Sequence, residues 1–233
     1  MLIAIHQPNY LPWLGYFDKI ARADRFIFLD RVQFAKGGYT NRVQIARDGA
    51  ARWLTQPVRH HFGQPIANVA FADPAWPAKH LDAMRSAYAG APAFAEVWPV
   101  LKDFYAAIPA SGLAAANAYL VTALARKLGF STQFIAESAL DVGGTRADDR
   151  LIALVRACAP DAAYLSGAGG HKYQDPAKFD AAGVDIVYAD FTHPVHDQGG
   201  DGFVPGLSIV DALFHLGWST TGRLFADNPA ASG

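Results

Sequence analysis

The chain has 233 residues, of which 52% are apolar and 18% charged, so it can bury a core and is not a disordered chain. Twenty Lys and Arg against 21 Asp and Glu give a formal net charge of -1, which provides no overall attraction to nucleic acid or anionic membranes. The single cysteine excludes an internal disulfide bond, no apolar run reaches the roughly 18 residues of a membrane helix, and the N-terminus does not resemble a signal peptide. We therefore expect a cytoplasmic protein without a membrane span or a nucleic-acid partner.

The first 30 residues follow a strand, helix, strand pattern. Residues 2–5 form a short apolar run that predicts a buried strand. After a polar loop, Leu14, Phe17 and Ile20 recur at helical spacing, and residues 26–29 form a second apolar run. This order predicts a βαβ unit, which implies a parallel sheet and a right-handed crossover.

The middle of the chain departs from this rhythm. An Asp-Gly turn between two runs predicts a β-hairpin with strands at 43–45 and 53–58. A further short strand is expected at 66–71. Helical composition then extends from 78 to about 108, with breaks near Gly90 and Pro92, and a clear helix at 114–128 ends at Gly129.

The βα rhythm returns in the last part of the chain. Apolar runs predict strands at 132–136, 162–165 and 184–189. Helices are expected at 145–159 with Thr145 as N-cap, at 176–182, and at 208–216 with Ser208 as N-cap and Gly217 as its stop.

Together these elements predict an α/β fold. We expect a doubly wound, mostly parallel five-stranded sheet of the Rossmann-like type, with an inserted β-hairpin and helical segment. The predicted organisation is one domain over residues 1–225 with an insertion at about 43–110, followed by a flexible tail over 226–233. The Ala- and Trp-rich helices around Trp76 and Trp98 offer a possible surface for a homodimer.

Polar and titratable residues follow the predicted strands on one edge of this sheet, where α/β proteins bind ligands. His6, Asp30 and His193 are the candidate catalytic residues, because each follows a strand. The alternative is that His6 is a structural residue, which only forms hydrogen bonds with the backbone of the loop. The candidate substrate-binding residues are Gln7, Asn9, Tyr10, Gln33, Lys36, Asn41, Arg42, Ser138, Ser166, Gly167, Gly169, Gly170, Lys172 and Tyr173.

Two of these groups suggest anion binding. The turn that begins at Ser166 is rich in glycine, which lets backbone N–H groups approach a phosphate, and Lys172 adds charge. It matches neither the dinucleotide fingerprint nor a Walker A loop, and a plain flexible connection is the alternative. Arg42 with Lys36, Asn41 and Gln33 forms a second candidate cluster, against the alternative of a solvated loop.

A metal site is a weaker hypothesis. His193 and His196 are three residues apart near Asp190 and Asp197, but Pro194 breaks the helix that would align them. We therefore predict no metal, and the sequence identifies no cofactor.

A series of blocks between residue 3 and about 218 carries a resemblance to a known family. They are Ile5-His-Gln-Pro-Asn-Tyr-Leu-Pro-Trp-Leu-Gly-Tyr-Phe-Asp-Lys-Ile, Phe28-Leu-Asp-Arg-Val-Gln-Phe, Thr40-Asn-Arg-Val-Gln-Ile, Tyr164-Leu-Ser-Gly-Ala-Gly-Gly-His-Lys-Tyr, His193-Pro and Leu207-Ser-Ile-Val-Asp. Through them the chain resembles the WbqC-like family, with departures at Gln174 and His196. The resemblance implies a bacterial protein of O-antigen or other polysaccharide biosynthesis that modifies an activated sugar, for example by acyl or aminoacyl transfer to an amino sugar. It assigns no catalytic residues.

Three functions follow as hypotheses. The first is a transferase acting on a nucleotide- or carrier-linked sugar, with a phosphate-bearing small molecule as substrate. In it His6 is the general base, the glycine-rich turn and Arg42 hold a phosphate, and Asn41, Gln33 and Ser166 orient the substrate. The second is an ATP- or CTP-dependent nucleotidyl- or adenylate-transferring enzyme, which rests on fold analogy alone. The third is a non-catalytic protein that binds a sugar intermediate.

Overall fold

The structure is a computed structural model, and it describes residues 1–47, 49–200 and 202–226. These residues contain nine strands: β1 Leu2–His6, β2 Arg25–Phe28, β3 Arg42–Arg47, β4 Ala50–Thr55, β5 Val58–Arg59, β6 Ala70–Phe71, β7 Gln133–Ala136, β8 Ala163–Ser166 and β9 Ile186–Tyr188. The α-helices within the described residues are α1 Leu14–Arg22, α2 Trp76–Tyr88, α3 Phe94–Ala106, α4 Leu113–Lys127, α5 Ala147–Cys158, α6 Pro176–Ala181 and α7 Ile209–Ala226.

Five strands form the central sheet in the order β7-β2-β1-β8-β9, and every neighbouring pair is parallel. The predicted α/β fold with a five-stranded parallel sheet is therefore confirmed. In the central sheet the predicted strand boundaries differ from the observed ones by one or two residues, and the run expected at 184–189 pairs only over Ile186–Tyr188. The second hairpin strand, expected at 53–58, lies earlier in the chain, at Ala50–Thr55. The chain winds outward from β1 in one direction and, after β7, returns to β8 on the other side of β1.

Both faces of the sheet are covered by helices because its strands are apolar on both sides. On one face Ala4 and Phe26 belong to a core shared with α1, α4 and α7. On the other face Ile3, Ile5 and Ile27 pack against α5 and α6. Successive residues of a strand point to opposite faces, so a continuous apolar run such as residues 3–5 supplies both cores.

The segment between β2 and β7 holds the predicted hairpin, β3 paired with β4, and the helices α2, α3 and α4. The short strand predicted at 66–71 is wrong over most of its length. Residues Ile66–Asn68 form a 3-10 turn, and the strand covers only Ala70–Phe71. Pro65 precedes this turn, and its carbonyl accepts the Asn68 N–H at 3.0 Å, a local bond that competes with strand pairing. The predicted single domain with its insertion remains a prediction.

Two helix ends differ from the predictions. Arg146, not Thr145, is the N-cap of α5, because the Thr145 hydroxyl donates back to the carbonyl of Val142 at 3.0 Å. Ser208 caps α7 as predicted, and its Oγ accepts the backbone N–H of Val210 at 3.3 Å. Gly217 breaks the helix with a left-handed φ of 76°, but helical structure resumes and reaches Ala226, which the sequence patterns did not reveal.

Two further expectations meet the structure only in part. Trp76, expected on a dimer surface, is 2% exposed and lies in the core. The predicted tail begins at Ala226, the last residue of α7, and its remaining residues, 227–233, lie outside the described residues. In the described part of the chain, every helix is too short or too polar to cross a bilayer.

Candidate active site

A crevice opens at the carboxyl ends of β1 and β8, the position where the direction of winding changes. Open α/β sheets bind ligands at such switch points. The crevice has two connected parts, of about 1000 Å³ on the α5 side and about 300 Å³ on the α1 side. Four residues line both parts: Ile5, His6, Tyr164 and Tyr173.

His6, the last residue of β1, stands between the two parts of the crevice. Its Nδ1 lies 3.3 Å from the carbonyl oxygen of Gln7, which only accepts, so this contact places the ring proton on Nδ1 and leaves Nε2 as an acceptor. Burial, followed by the positive charge of Lys19, lowers the pKa of His6 to about 3 despite this hydrogen bond. The imidazole is therefore neutral near pH 7. It also contacts the edge of the Tyr16 ring, with centroids 4.8 Å apart.

The larger part of the crevice is lined by three guanidinium groups, those of Arg31, Arg146 and Arg150. The carboxylate in the same wall is that of Asp148, and its Oδ2 accepts the backbone N–H of Asp175 at 3.0 Å. Even with the buried Glu137 carboxyl, which pairs with Arg150, counted beside Asp148, the three cations outnumber the carboxyl groups, so the wall is positive. Guanidinium groups bind phosphates and carboxylates through paired hydrogen bonds, so the wall suits an anionic ligand.

Buried acidic residues hold these arginines in place. Glu137, which is 0% exposed, accepts the Arg31 backbone N–H at 3.1 Å and lies 3.4 Å from Nε of Arg150. Burial raises the pKa of this carboxyl, against the opposing effects of the Arg31 hydrogen bond and the Arg150 charge. Asp30 accepts both the N–H and the hydroxyl of Ser138, at 3.0 and 2.7 Å, and the carbonyl of Ser138 in turn accepts from Arg31 Nη2 at 3.0 Å. Asp30 and Ser138 are therefore linked to Arg31 by hydrogen bonds and are not among the residues that line the crevice.

The glycine-rich turn after β8 forms a wall of the smaller part through Gly167, Gly169 and Gly170. Ser166 is 1% exposed and its hydroxyl donates to Gln174 Oε1 at 2.8 Å, beneath the turn. A Cβ on Gly170 would overlap both of these side chains, so glycine is required there. The turn brings backbone, without side chains, to the crevice surface.

Aromatic side chains and one cation complete the smaller part. Trp13 and Phe191 line it, and the ring of His193 lies behind them, 5.0 Å from Trp13 and 5.2 Å from Phe191 between centroids. His193 thus supports the aromatic wall. The cation is Lys19, which is 5% exposed and donates from Nζ to the carbonyl of Ile5 at 3.1 Å.

Of the residues predicted to bind substrate, six line the crevice together with His6: Gln7, Gln33, Gly167, Gly169, Gly170 and Tyr173. Others are buried within the loop after β1 or next to it. Tyr10 is fully buried, and its hydroxyl bonds to Nδ1 of His80 at 2.7 Å. Asn9 is 6% exposed, and Asn41 donates to the carbonyl of Gln56 at 3.0 Å. These three residues are not among those that line the crevice.

The cations that the sequence patterns favoured lie elsewhere. Arg42 stacks over the Trp53 ring at 4.0 Å from its centroid and donates to the carbonyl of Gly37, at the inserted hairpin. Lys36 is exposed in the loop before that hairpin, and Lys172 is exposed at the end of the glycine-rich turn. The cluster predicted around Arg42 therefore contributes only Gln33 to the crevice.

Four cations of the crevice were absent from the sequence-based candidates: Lys19, Arg31, Arg146 and Arg150. A signal existed for three of them. Arg31 comes just after Asp30, which follows the predicted second strand. Arg146 and Arg150 lie in the first turns of the helix after the third strand, and the N-terminus of this helix points to the same edge of the sheet. Lys19 had no such signal, because it lies inside an amphipathic helix.

The histidines near residue 195 do not come together as a metal site. His196 Nε2 lies 3.2 Å from Asp211 Oδ2, and this contact ties the loop to α7. Within the ranges that the structure describes, no group of three or more His, Cys, Asp or Glu side chains is arranged to hold a metal ion.

Comparisons with known proteins point to one family. The model of the WbqC-like protein family matches residues 7–222. The chain is also 32% identical over 220 residues to the uncharacterized protein Rv1507c of Mycobacterium tuberculosis, an alignment that covers 92% of this chain and 94% of that protein. No solved structure matches the chain.

Proposed function

The chain belongs to the WbqC-like protein family, and we propose that it is a transferase that modifies an activated sugar, with a nucleotide-linked amino sugar of bacterial surface-polysaccharide or O-antigen-type biosynthesis as the substrate. The observation that carries this proposal is the wall of three guanidinium groups beside His6 at the switch point of the sheet. It supports a ligand that has both a multiply charged anionic part and a group for His6 to act on.

The diphosphate of such a ligand matches the arginine wall in charge. The diphosphate of a nucleotide sugar carries about two negative charges, and the three arginines of the wall outnumber the carboxyl groups of Asp148 and Glu137 beside them. The volume of about 1000 Å³ is at the upper end of the range for small-molecule pockets, which suits a ligand as large as a nucleotide sugar.

His6 is proposed as the general base. The neutral ring has its proton on Nδ1, held by the Gln7 carbonyl, so Nε2 can accept a proton from substrate. As the amine or hydroxyl of the sugar forms a bond to the carbonyl carbon of an activated acyl donor, its proton passes to Nε2. The bond between that carbon and the leaving group then breaks, and the leaving group takes the electron pair.

The remaining candidates have supporting roles in this proposal. Gln7, Gln33 and Tyr173 line the crevice and orient the sugar nucleotide, while the glycines of the turn leave space for it. Asp30 is proposed as a positioning residue that acts through Ser138 on Arg31.

The test is a calorimetric and thermal-shift panel on the purified protein. The ligands are UDP- and dTDP-linked amino sugars, acyl-CoA, and ATP and CTP with Mg²⁺. We expect nucleotide sugars to stabilise the protein, and a ligand at about 100 times its Kd adds roughly 2.7 kcal/mol to the free energy of unfolding. Arg146→Gln should weaken their binding about tenfold or more, as loss of a charged hydrogen bond does.

Arg85→Gln is the matched control, because Arg85 is an exposed residue of α2 outside the crevice wall and its replacement removes the same charge. Stabilisation by ATP or CTP with Mg²⁺ alone would overturn the sugar substrate in favour of nucleotidyl transfer. If nucleotide sugars bind but are not turned over when each acyl donor is supplied, the transferase activity is refuted in favour of a non-catalytic binding protein. Equal losses in both arginine variants would refute the role of the arginine wall.

A further inference from the structure

A buried lysine lies in the smaller part of the crevice, outside the arginine wall. The Lys19 side chain, from α1, reaches the carboxyl end of β1, where its Nζ donates one hydrogen bond to the Ile5 carbonyl at 3.1 Å. The residue is 5% exposed and lines the space of about 300 Å³. An ammonium group has three N–H donors, so the Ile5 bond leaves two for other acceptors.

Within the described residues, this ammonium has no carboxylate as a counter-ion. Among the residues that the structure describes, no carboxylate lies within the 4.0 Å ion-pair distance of Lys19 Nζ, and the neighbouring Asp18 pairs with Arg22 at 3.4 Å. Burial lowers the pKa of Lys19 to about 8, so most molecules still carry the charge at neutral pH. A buried and unpaired charge is costly, and a bound anion would compensate it.

The surroundings of Lys19 suit a compact group of a larger ligand. His6 and the glycine-rich turn line the same space, as does Tyr16, and the glycines present backbone without side chains. Four residues line both parts of the crevice, so the two parts adjoin there: Ile5, His6, Tyr164 and Tyr173. A ligand that bridges the two parts would pass His6 on its way from the arginines to Lys19.

We propose that Lys19 is a second anion subsite, which binds a carboxylate on the sugar of the substrate while the arginines hold its diphosphate. The substrate class is then a nucleotide-linked acidic sugar. The reacting group of the sugar must reach His6, which lines both the arginine part and the Lys19 part of the crevice. With the diphosphate at the arginines, a carboxylate on the far side of the sugar would therefore lie near Lys19. The arginine half of this inference rests on the proposed function, whereas the lysine subsite does not.

The first experiment compares UDP-glucuronate with UDP-glucose, which differ by one carboxylate, in calorimetric titrations. The protein as isolated should bind UDP-glucuronate about tenfold more tightly, as expected for one charge-assisted contact in a buried site. Lys19→Met keeps the buried stem and removes the ammonium, so it should abolish this preference. Arg146→Gln should weaken both ligands and leave the preference intact. Equal binding of both ligands to the unmodified protein, or a preference that persists in Lys19→Met, overturns the proposal.

The second experiment needs no variant and no nucleotide sugar. Acetic anhydride acetylates free amines, and peptide mapping by mass spectrometry follows each lysine separately. Inorganic phosphate should slow the acetylation of Lys19 and leave that of Lys102, an exposed residue of α3, unchanged. If neither UDP-sugar binds, the proposed function fails, but the acetylation rate of Lys19 still tests the anion subsite. Slower acetylation in phosphate supports the subsite, and an unchanged rate overturns it. The same result decides the question if Lys19→Met does not fold.

Discussion

Replacing His80 with glutamine is expected to remove one source of acid sensitivity from the folded protein. His80, on α2, is 6% exposed, and both of its ring nitrogens are engaged. Nε2 donates to the carbonyl of Thr55 at 3.1 Å, so Nδ1 accepts the hydroxyl proton of Tyr10 at 2.7 Å. The Tyr10 oxygen in turn accepts from the hydroxyl of Tyr105. This chain of donors requires the neutral imidazole.

The pH dependence follows from the pKa of His80. Burial lowers this pKa from 6.5 to about 4, although the Thr55 hydrogen bond acts in the opposite direction. Between these values the unfolded chain binds a proton that the folded protein does not, so stability falls as the pH falls. The loss from this residue is about 2 kcal/mol at pH 5 and roughly 3 kcal/mol when the pH reaches 4, relative to pH 7.

Urea unfolding at a series of pH values from 7 to 4.5 measures this contribution. Glutamine can both donate and accept, so His80→Gln keeps polar groups at the site without a titrating ring. The difference in unfolding free energy between the two proteins should shrink by about 2 kcal/mol between pH 7 and pH 5, because the other titrating groups are common to both. A difference that stays constant over this range would refute the assignment of a buried, neutral imidazole.

Two substitutions test the packing around the crevice. Gly170→Ala should destabilise the protein by about 1–3 kcal/mol in urea unfolding, because the new Cβ overlaps Ser166 Oγ and the Gln174 amide; an unchanged midpoint would show that the turn can relax. Ser208→Ala should cost about 1–2 kcal/mol, because it removes the cap of α7 and a hydrogen bond of 2.7 Å from its hydroxyl to the Leu11 carbonyl. Thermal unfolding monitored by circular dichroism measures this cost, and a loss below a few tenths of a kcal/mol would contradict the capping role.

The central sheet could be predicted from the sequence because local patterns carry it. Short apolar runs bounded by polar loops, such as residues 2–5, are recognisable in isolation, and alternation with helical patterns implies parallel pairing. Helix ends were less predictable. The Thr145 hydroxyl could accept a backbone N–H of α5 as a cap or donate to the nearby Val142 carbonyl, and the structure shows the second arrangement. The helix after Gly217 depended on packing against α3 and α4.

The candidate site was predictable in its location and less so in its charges. His6 and the glycines of the turn follow strands that end at the same edge, so sequence order alone brought them together. The cations were a different case, since an arginine or lysine reaches several ångströms from its backbone and its neighbours decide its direction. Arg42 turned to Trp53, whereas Lys19 turned inward to the Ile5 carbonyl.

The sequence by itself determined the class of fold, the edge of the sheet where the crevice lies, and the presence of a histidine there. These depend on the period of apolar residues and on the rule that parallel strands end together. Only the tertiary structure decided which cations face the crevice, that Asp30 supports Ser138, and that Tyr10 belongs to a buried hydrogen-bond chain. The physical reason is that the direction of a long polar side chain is set by contacts between residues far apart in the chain, such as Arg31 Nη2 with the Ser138 carbonyl.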